Sequence, residues 1–319
     1  MPEQLLRPES GLTKKLKNLE WDLTNSEDRE LFYKALSIVR MVEAIVREKD
    51  GQDLQPEDAK KVYAEIAANF SNTELQRMGQ LAFPQWFSAD RLPSYEKIKQ
   101  GVGVPHIITA NKEMGRYIAE SESDKPEILD LGAGTMGTGV LVAMALNEQG
   151  KQAVITGVEY TPKLVDVSRE TSQKIMAEMP NINVRIEPND IENFVQQAKA
   201  EGKTYYHVTA SYVIHHLKKD NQEKLIADVF EVVKPGGSLQ IADPQEGISQ
   251  FNLKVLLPNE PEGIFAEFTS PDEMVEFMKK AGFVNVEVVL RDDPQHPDNP
   301  GKTEGNYTGY LVRGIKPKE

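Results

Sequence analysis

The stretch Ile128-Leu-Asp-Leu-Gly-Ala-Gly-Thr-Met-Gly-Thr-Gly139 decides the fold of this chain. Its apolar start suits a strand covered on both faces, as in a parallel sheet, with the carboxylate of Asp130 near its end. The glycines that follow permit positive φ angles and lack the Cβ atoms that would keep a ligand away from the backbone. A helix then begins, and its free N-terminal amides face whatever the loop holds. The stretch therefore predicts a nucleotide-type ligand.

The composition limits the class of protein. The chain has 319 residues, of which 39% are hydrophobic, and no apolar run approaches the roughly 18 residues of a membrane helix. The net charge of −13 argues against a general affinity for nucleic acid or anionic membranes, because both need concentrated lysine and arginine. The absence of cysteine excludes disulfides, thiolate zinc sites and cysteine nucleophiles. These features favour a cytoplasmic enzyme without a secretory signal.

The first third of the sequence has helical periodicity, and no run in it alternates like a strand. We therefore expect an all-helical N-terminal domain over residues 1–104, followed by a second domain over 105–319. Helices are predicted over 28–49, 56–81, 94–100 and 105–120.

From about residue 125 onward, strands alternate with helices, which predicts βαβ crossovers and a doubly wound, mostly parallel sheet of seven strands. Lys234-Pro-Gly-Gly237 predicts a tight turn before the fifth strand. The last two strands, at 284–291 and 307–315, have no helix between them and are expected to be antiparallel neighbours. The earlier strands are predicted at 128–131, 153–159, 183–187, 205–211 and 238–243.

The glycine loop taken alone is compatible with two kinds of cofactor. Gly132-x-Gly134-x-x-Gly137 matches the dinucleotide fingerprint, and Glu159 lies about 20 residues further on, where a ribose-binding acid belongs. An NAD-dependent oxidoreductase is therefore one hypothesis. It does not account for Asp130 ahead of the loop, for Lys234-Pro-Gly-Gly237 or for an antiparallel last strand.

These motifs together, in this order, resemble the class I, Rossmann-like methyltransferases that use S-adenosylmethionine. In that family an acid precedes a Gly-x-Gly turn on the first strand, a second acid ends the second strand, and a Lys-Pro-Gly-Gly turn precedes the fifth. The resemblance covers about two thirds of the chain, roughly from Lys125 to Ile315. It implies the small-molecule type of methyltransferase with a helical N-terminal extension.

The resemblance implies a set of cofactor-binding residues at the carboxyl ends of the first four strands. Glu159 is expected to accept hydrogen bonds from both ribose hydroxyls, and Asp190 from the adenine amino group. The full set is Asp130, Gly132, Ala133, Gly134, Gly137, Glu159, Tyr160, Asn189, Asp190, Ile191 and Ser211.

Two adjacent histidines, His215 and His216, follow the fourth strand. A histidine can accept a proton near neutral pH from an attacking hydroxyl or acidic carbon, so either residue is a candidate catalytic base; packing of both in the turn is the alternative. No third ligand stands at a helpful spacing, so no metal is expected. Within the fourth strand, His207 replaces an acid that many family members carry, and we expect a packed core histidine there.

The methyl acceptor is expected to be a small metabolite, with a protein as the second possibility. The amino-methylating DNA enzymes carry Asn-Pro-Pro-Tyr or Asp-Pro-Pro-Tyr after the fourth strand, where this chain has Ala210-Ser-Tyr-Val213. A non-catalytic regulator that binds the cofactor is a further alternative. The resemblance implies that the N-terminal helices cover the active site and form a homodimer contact, and we expect the same in this chain. The candidate substrate contacts are Trp86, Phe87, Tyr212 and Asp243, with Phe83 and Tyr95 as further aromatic candidates.

Overall fold

The computed structural model describes residues 16–17, 21–48, 65, 68–71, 74, 77, 94–102, 105–244, 268–291 and 309–318. These residues separate into two units, one that ends at 77 and one that begins at 94. None of the described helices has the length and apolarity needed to cross a bilayer. Trp86, Phe87, Phe83 and most of the helix predicted at 56–81 lie outside the described residues.

The first unit contains a long amphipathic helix, α1 (Ser26–Glu48). Asn25 caps it, since its Oδ1 accepts the amide N–H of Glu27 at 2.8 Å. The apolar face is buried, as the spacing in the sequence predicts: Leu31, Leu36, Val39 and Val42. The lid and dimerisation roles expected of this region stay predictions.

The second unit is built on a seven-stranded sheet with the order β3-β2-β1-β4-β5-β7-β6. Its strands are β1 (Glu127–Leu131), β2 (Ala153–Glu159), β3 (Ile182–Pro188), β4 (Tyr205–Ser211), β5 (Val233–Pro244), β6 (Val284–Arg291) and β7 (Gly309–Ile315). Its helices are α2 (Tyr95–Lys99), α3 (Pro105–Ala119), α4 (Gly137–Glu148), α5 (Pro162–Glu178), α6 (Ile191–Ala200), α7 (Lys219–Val232) and α8 (Pro271–Ala281), with a 3₁₀ turn at Ile214–His216.

The two faces of the sheet bury two separate apolar cores, which is why β1 has adjacent apolar residues, Ile128 and Leu129, rather than a strict alternation. Leu129 and Leu131 pack with α6, α7 and α8, whereas Ile128 packs with α2, α3, α4 and α5. The strands from β1 to β5 are parallel, and β7 runs antiparallel to both β5 and β6. The predicted fold class and the antiparallel end of the sheet are confirmed.

The Lys-Pro-Gly-Gly segment differs from the prediction, because it belongs to β5 rather than to a turn before it. The register passes from Tyr205↔Val233 to His207↔Ser238, so extra residues bulge out of β5. Gly236 has a φ of +76° and donates its N–H to Lys316 at 2.9 Å. The irregular backbone is thus accommodated inside the sheet.

Helix α2 lies on the sheet unit, although the sequence analysis assigns its residues to the N-terminal region. Tyr95 and Ile98 are buried in the same core as α4. Tyr95 therefore packs in the core and does not form the substrate wall for which it is a candidate. The domain boundary at residue 104 stays a prediction.

Candidate active site

The loop between β1 and α4 forms an open cradle. Gly132 and Gly134 have left-handed φ angles of +67° and +53°. A Cβ on Gly132 would meet the side chain of Val213 at 2.4 Å, whereas a Cβ on Gly134 would meet only the carbonyl oxygen of Gly132 at 3.9 Å. Gly137 has no positive φ; the third left-handed residue is Met136, at +67° with a fully buried side chain. The open space beside Gly134, which a side chain at that position would fill, is the cradle.

Glu159 joins the end of β2 to this loop. Its carboxylate is buried, Oε2 accepts the N–H of Gly134 at 3.0 Å, and Oε1 accepts the N–H of Thr161 at 2.8 Å. Burial raises the pKa of Glu159, and these hydrogen bonds oppose that rise. Each carboxylate oxygen has a second lone pair, so the group still has acceptor capacity for ligand hydroxyls. Ala133 is buried beside it and donates its N–H to Val158.

The end of β3 contributes the Asn189-Asp190-Ile191 segment. Asp190 is the N-cap of α6: its Oδ1 accepts the N–H of Asn193 at 2.9 Å, and its Oδ2 accepts from the side-chain amide of the same residue. Asn189 donates its N–H to the carbonyl of Glu159 at 3.1 Å, which joins the ends of β3 and β2. Asp190 therefore has a structural role in addition to the adenine contact predicted for it.

Asp130 is a buried carboxyl with one oxygen unsatisfied. Oδ1 accepts the hydroxyl of Thr209 at 2.8 Å, while Oδ2 has no partner among the described residues. Burial raises the pKa of Asp130 to about 7, although the Thr209 hydrogen bond favours the ionised form. A buried acceptor without a partner, one residue from the end of β1, is consistent with a ligand group or water that completes it.

The pKa of Asp130 predicts a pH dependence of stability. The folded protein holds this proton more tightly than the unfolded chain, so stability falls as the pH rises from 3.8 to about 7. Asp130→Asn removes the titrating group but keeps its shape. Between about pH 5 and about pH 8, the free energy of unfolding of the variant should rise by more than about 1 kcal/mol relative to that of the wild type. Urea unfolding at both pH values checks this; a difference that does not change with pH would contradict it.

The end of β4 contacts helix α3 through a residue that the sequence analysis missed. Ser211 donates its hydroxyl to Oδ1 of Asn111 at 2.7 Å, and Asn111 is only 2% exposed. Tyr212, the next residue, has a φ of +56° and donates its N–H to Ala242 at 2.8 Å. A single amide on the otherwise apolar buried face of α3 is the signal that could have identified Asn111.

His215 and Asp243 form a buried pair. Nδ1 of His215 lies 2.7 Å from Oδ1 of Asp243, the penultimate residue of β5, and the histidine ring stacks on Phe268 with 5.5 Å between the centroids. Burial raises the pKa of Asp243, against the effect of His215. The ring of His216 lies 4.1 Å from that of His215, because both belong to one 3₁₀ turn. Burial, and then the charge of His215, lower the pKa of His216 well below its usual value.

His207 lies toward the other end of the sheet, away from this edge. It pairs with Ile128 in the register of β4 and β1, and its Nδ1 lies 2.8 Å from the hydroxyl of Ser238. Burial lowers the pKa of His207 to about 3. It is the packed, hydrogen-bonded core histidine that the sequence analysis expects.

The structure thus brings the glycine loop and the strand-end residues Glu159, Asp190 and Ser211 to one edge of the sheet, at the carboxyl ends of β1 to β4. Ligands bind at that edge in open α/β sheets. Tyr160 lies next to Glu159 and is half-buried. In the part of the chain that the structure describes, no three histidine, aspartate or glutamate side chains cluster as a metal site would require.

Comparison with known proteins identifies the family. A family model described as a methyltransferase domain matches residues 106–288, more than half of the chain. The chain belongs to this methyltransferase family. An arsenite methyltransferase of Halobacterium salinarum is 25% identical over 185 residues, which are 58% of this chain and 44% of that protein. The chain therefore spans less than half the length of this curated relative.

A solved structure agrees with the methyltransferase fold. Magnesium protoporphyrin IX methyltransferase from Synechocystis, solved with S-adenosylmethionine, has a TM-score of 0.51 and 12% identity, over 78% of this chain and 99% of that one. An O-methyltransferase family protein from Burkholderia thailandensis has a TM-score of 0.46 and 16% identity, over 67% and 58%. The family model confirms the predicted methyltransferase family, and the Synechocystis structure, which holds S-adenosylmethionine, shares the predicted fold.

The residues of this edge fit that cofactor. The cradle before Gly134 has room for a ligand, Glu159 has lone pairs to spare, and Oδ2 of Asp130 is an acceptor without a partner among the described residues. Asp190 also lies in the position that the resemblance implies, although it caps α6.

Proposed function

We propose that this methyltransferase transfers the methyl group of S-adenosylmethionine to an oxygen, nitrogen or acidic carbon of a small metabolite. The observation that carries the proposal is the connection between Glu159 and the glycine loop. A buried carboxylate that holds the N–H of Gly134 beside an open cradle is suited to a ribose. Hydrogen bonds to charged groups of this kind contribute about 1.5–3 kcal/mol each.

The strand order supports one orientation of the cofactor. Because β3, β2, β1 and β4 are consecutive neighbours, Asp190, Glu159 and the glycine loop follow one another along the edge. Asp190 would hold the adenine, Glu159 the ribose hydroxyls, and the loop the amino-acid half. The acceptor would then lie near the end of β4, next to Ser211 and Tyr212.

We propose that His215 is the base when the acceptor arrives protonated. When Asp243 is ionised and His215 is neutral, the carboxylate can only accept, so Nδ1 of His215 donates the hydrogen bond and Nε2 keeps its lone pair. Asp243 thereby orients His215. We propose this role for Asp243 in place of the substrate contact that the sequence suggests.

Bound S-adenosylmethionine supplies a methyl group that its sulfonium already activates. The remaining task of the protein is alignment and exclusion of water, which contributes about 7–11 kcal/mol in favourable cases.

The acceptor proposed here is not arsenite, although one relative carries that name. Trivalent arsenic is a soft acceptor that prefers thiolate ligands, and these 319 residues contain no cysteine. The net charge of −13 also disfavours a nucleic acid. An uncharged or cationic small molecule suits this composition better.

Methylation of a protein is the second candidate, and a regulator that binds the cofactor without turnover is the third. One experiment separates them: incubation of the enzyme with methyl-labelled S-adenosylmethionine and a cell extract, followed by separation by size. We expect the label in the small-molecule fraction, in a compound other than unreacted S-adenosylmethionine. Label confined to the protein fraction would favour a protein acceptor, and no transfer from a broad extract would favour the regulator.

We also propose a cytoplasmic location and a homodimer formed through the N-terminal helices. The support for the location is the acidic, cysteine-free composition. The dimer rests on the family resemblance, and light scattering of the full chain tests it directly.

A further inference from the structure

Helices α3 and α4 approach each other closely at one point. A Cβ on Gly115 of α3 would lie 2.9 Å from the carbonyl oxygen of Leu141 in α4, so only glycine permits this contact. One helical turn earlier on both helices, Asn111 lies beside Gly137, the first residue of α4. The glycine at 115 therefore sets the distance between Asn111 and the start of α4.

The amide of Asn111 is held in one orientation. Its Oδ1 accepts the hydroxyl of Ser211 at 2.7 Å, and its Nδ2 lies 3.8 Å from where a Cβ on Gly137 would be. Among the described residues, Nδ2 has no hydrogen-bond partner, although Asn111 is only 2% exposed. Nδ2 is not among the fully enclosed atoms without a partner, so it reaches the surface of the site, where a ligand or water can accept from it.

The start of α4 adds further free donors beside that amide. Its N-cap is Met136, no side chain caps the helix, and its first turn carries no acidic residue. The first-turn amides and the helix dipole favour a negatively charged group at this place. The side-chain amide of Asn111 and the first-turn amides of α4 together are donors suited to a carboxylate.

We propose that Asn111 binds the carboxylate of the amino-acid half of S-adenosylmethionine through its Nδ2, with the first-turn amides of α4. This inference rests on the proposed function, which puts the amino-acid half at the glycine loop. Ser211 is then a positioning residue: its hydroxyl occupies Oδ1 of Asn111 and directs Nδ2 toward the ligand.

Two ligands separate the amino-acid half from the nucleoside: S-adenosylhomocysteine carries both, and 5′-methylthioadenosine lacks the amino acid. Asn111→Asp keeps the shape and the acceptor for Ser211, but replaces the donor with a negative oxygen. We expect calorimetry to show S-adenosylhomocysteine binding weakened by at least about tenfold, with 5′-methylthioadenosine binding within about twofold of the wild type. Lys112→Ala, an exposed change on the same helix, is the matched control and should leave both affinities unchanged.

An unchanged affinity of Asn111→Asp for S-adenosylhomocysteine would overturn the inference. An equal loss for both ligands would also overturn it, because Asn111 would then support only the fold. Asn111→Ala repeats the test without a new charge and should show the same selective loss. If the wild type binds neither ligand, the proposed function itself fails, which is a distinct outcome.

Discussion

Glu159→Gln should weaken the binding of S-adenosylhomocysteine by about 1–3 kcal/mol, and Glu159→Ala by more. The glutamine keeps one acceptor, but it loses the charge and presents a donor to either Gly134 or Thr161, whose N–H groups both point at this side chain. The alanine leaves both amides without their acceptor and releases the loop as well. A loss of folding stability of about 1–3 kcal/mol should therefore accompany the alanine variant in the absence of ligand.

Calorimetry with S-adenosylhomocysteine measures the first effect, and urea unfolding of the free protein measures the second. Glu170→Gln is the matched control, because Glu170 is an exposed glutamate on the following helix whose ion pair is with Lys174. An unchanged dissociation constant in Glu159→Gln would refute the ribose assignment. It would leave Glu159 only as the residue that fixes the glycine loop.

His215→Ala should lower the rate of methyl transfer by about 10²–10⁴-fold, the usual contribution of a general base. Asp243→Asn should lower it nearly as much, because an amide can donate to Nδ1 and shift the proton to Nε2. His216→Ala should have a much smaller effect. The expectation applies to an acceptor that arrives protonated; a free amine needs no base.

The rates are measured as label transferred per unit time to small molecules other than S-adenosylmethionine, with the affinity for S-adenosylhomocysteine as the control for folding. That control matters because His215 and Asp243 are both buried. If His215→Ala retains the full rate and the full affinity, the pair serves to anchor the turn after β4 to β5. If Asp243→Asn lowers the affinity for S-adenosylhomocysteine as well as the rate of methyl transfer, the pair of His215 and Asp243 also has a structural role.

Much of the sheet unit could be predicted from the sequence, because its elements have strong local signals. β2 spans the predicted residues from Ala153 to Glu159, and β4 those from Tyr205 to Ser211. The antiparallel end of the sheet follows from the absence of a crossover helix between its last two strands. The glycine loop was identifiable because few other structures need glycines at that spacing after a buried strand.

Contacts between residues distant in sequence could not be predicted. Asn111 and Ser211 are 100 positions apart, and His215 is paired with Asp243 across the sheet edge. The capping role of Asp190 competes with its predicted ligand role at the same atoms. The bulge in β5 depends on its pairing with β4, which a turn motif alone does not reveal.

Mass spectrometry of a metabolite extract, incubated with the protein and S-adenosylmethionine carrying a labelled methyl group, tests the central claim most directly. The account predicts a small molecule heavier by one labelled methyl group, which forms together with S-adenosylhomocysteine and is absent when Glu159→Ala replaces the wild type. If S-adenosylhomocysteine binds but no small molecule in a broad extract acquires the label, methylation of a small metabolite is contradicted.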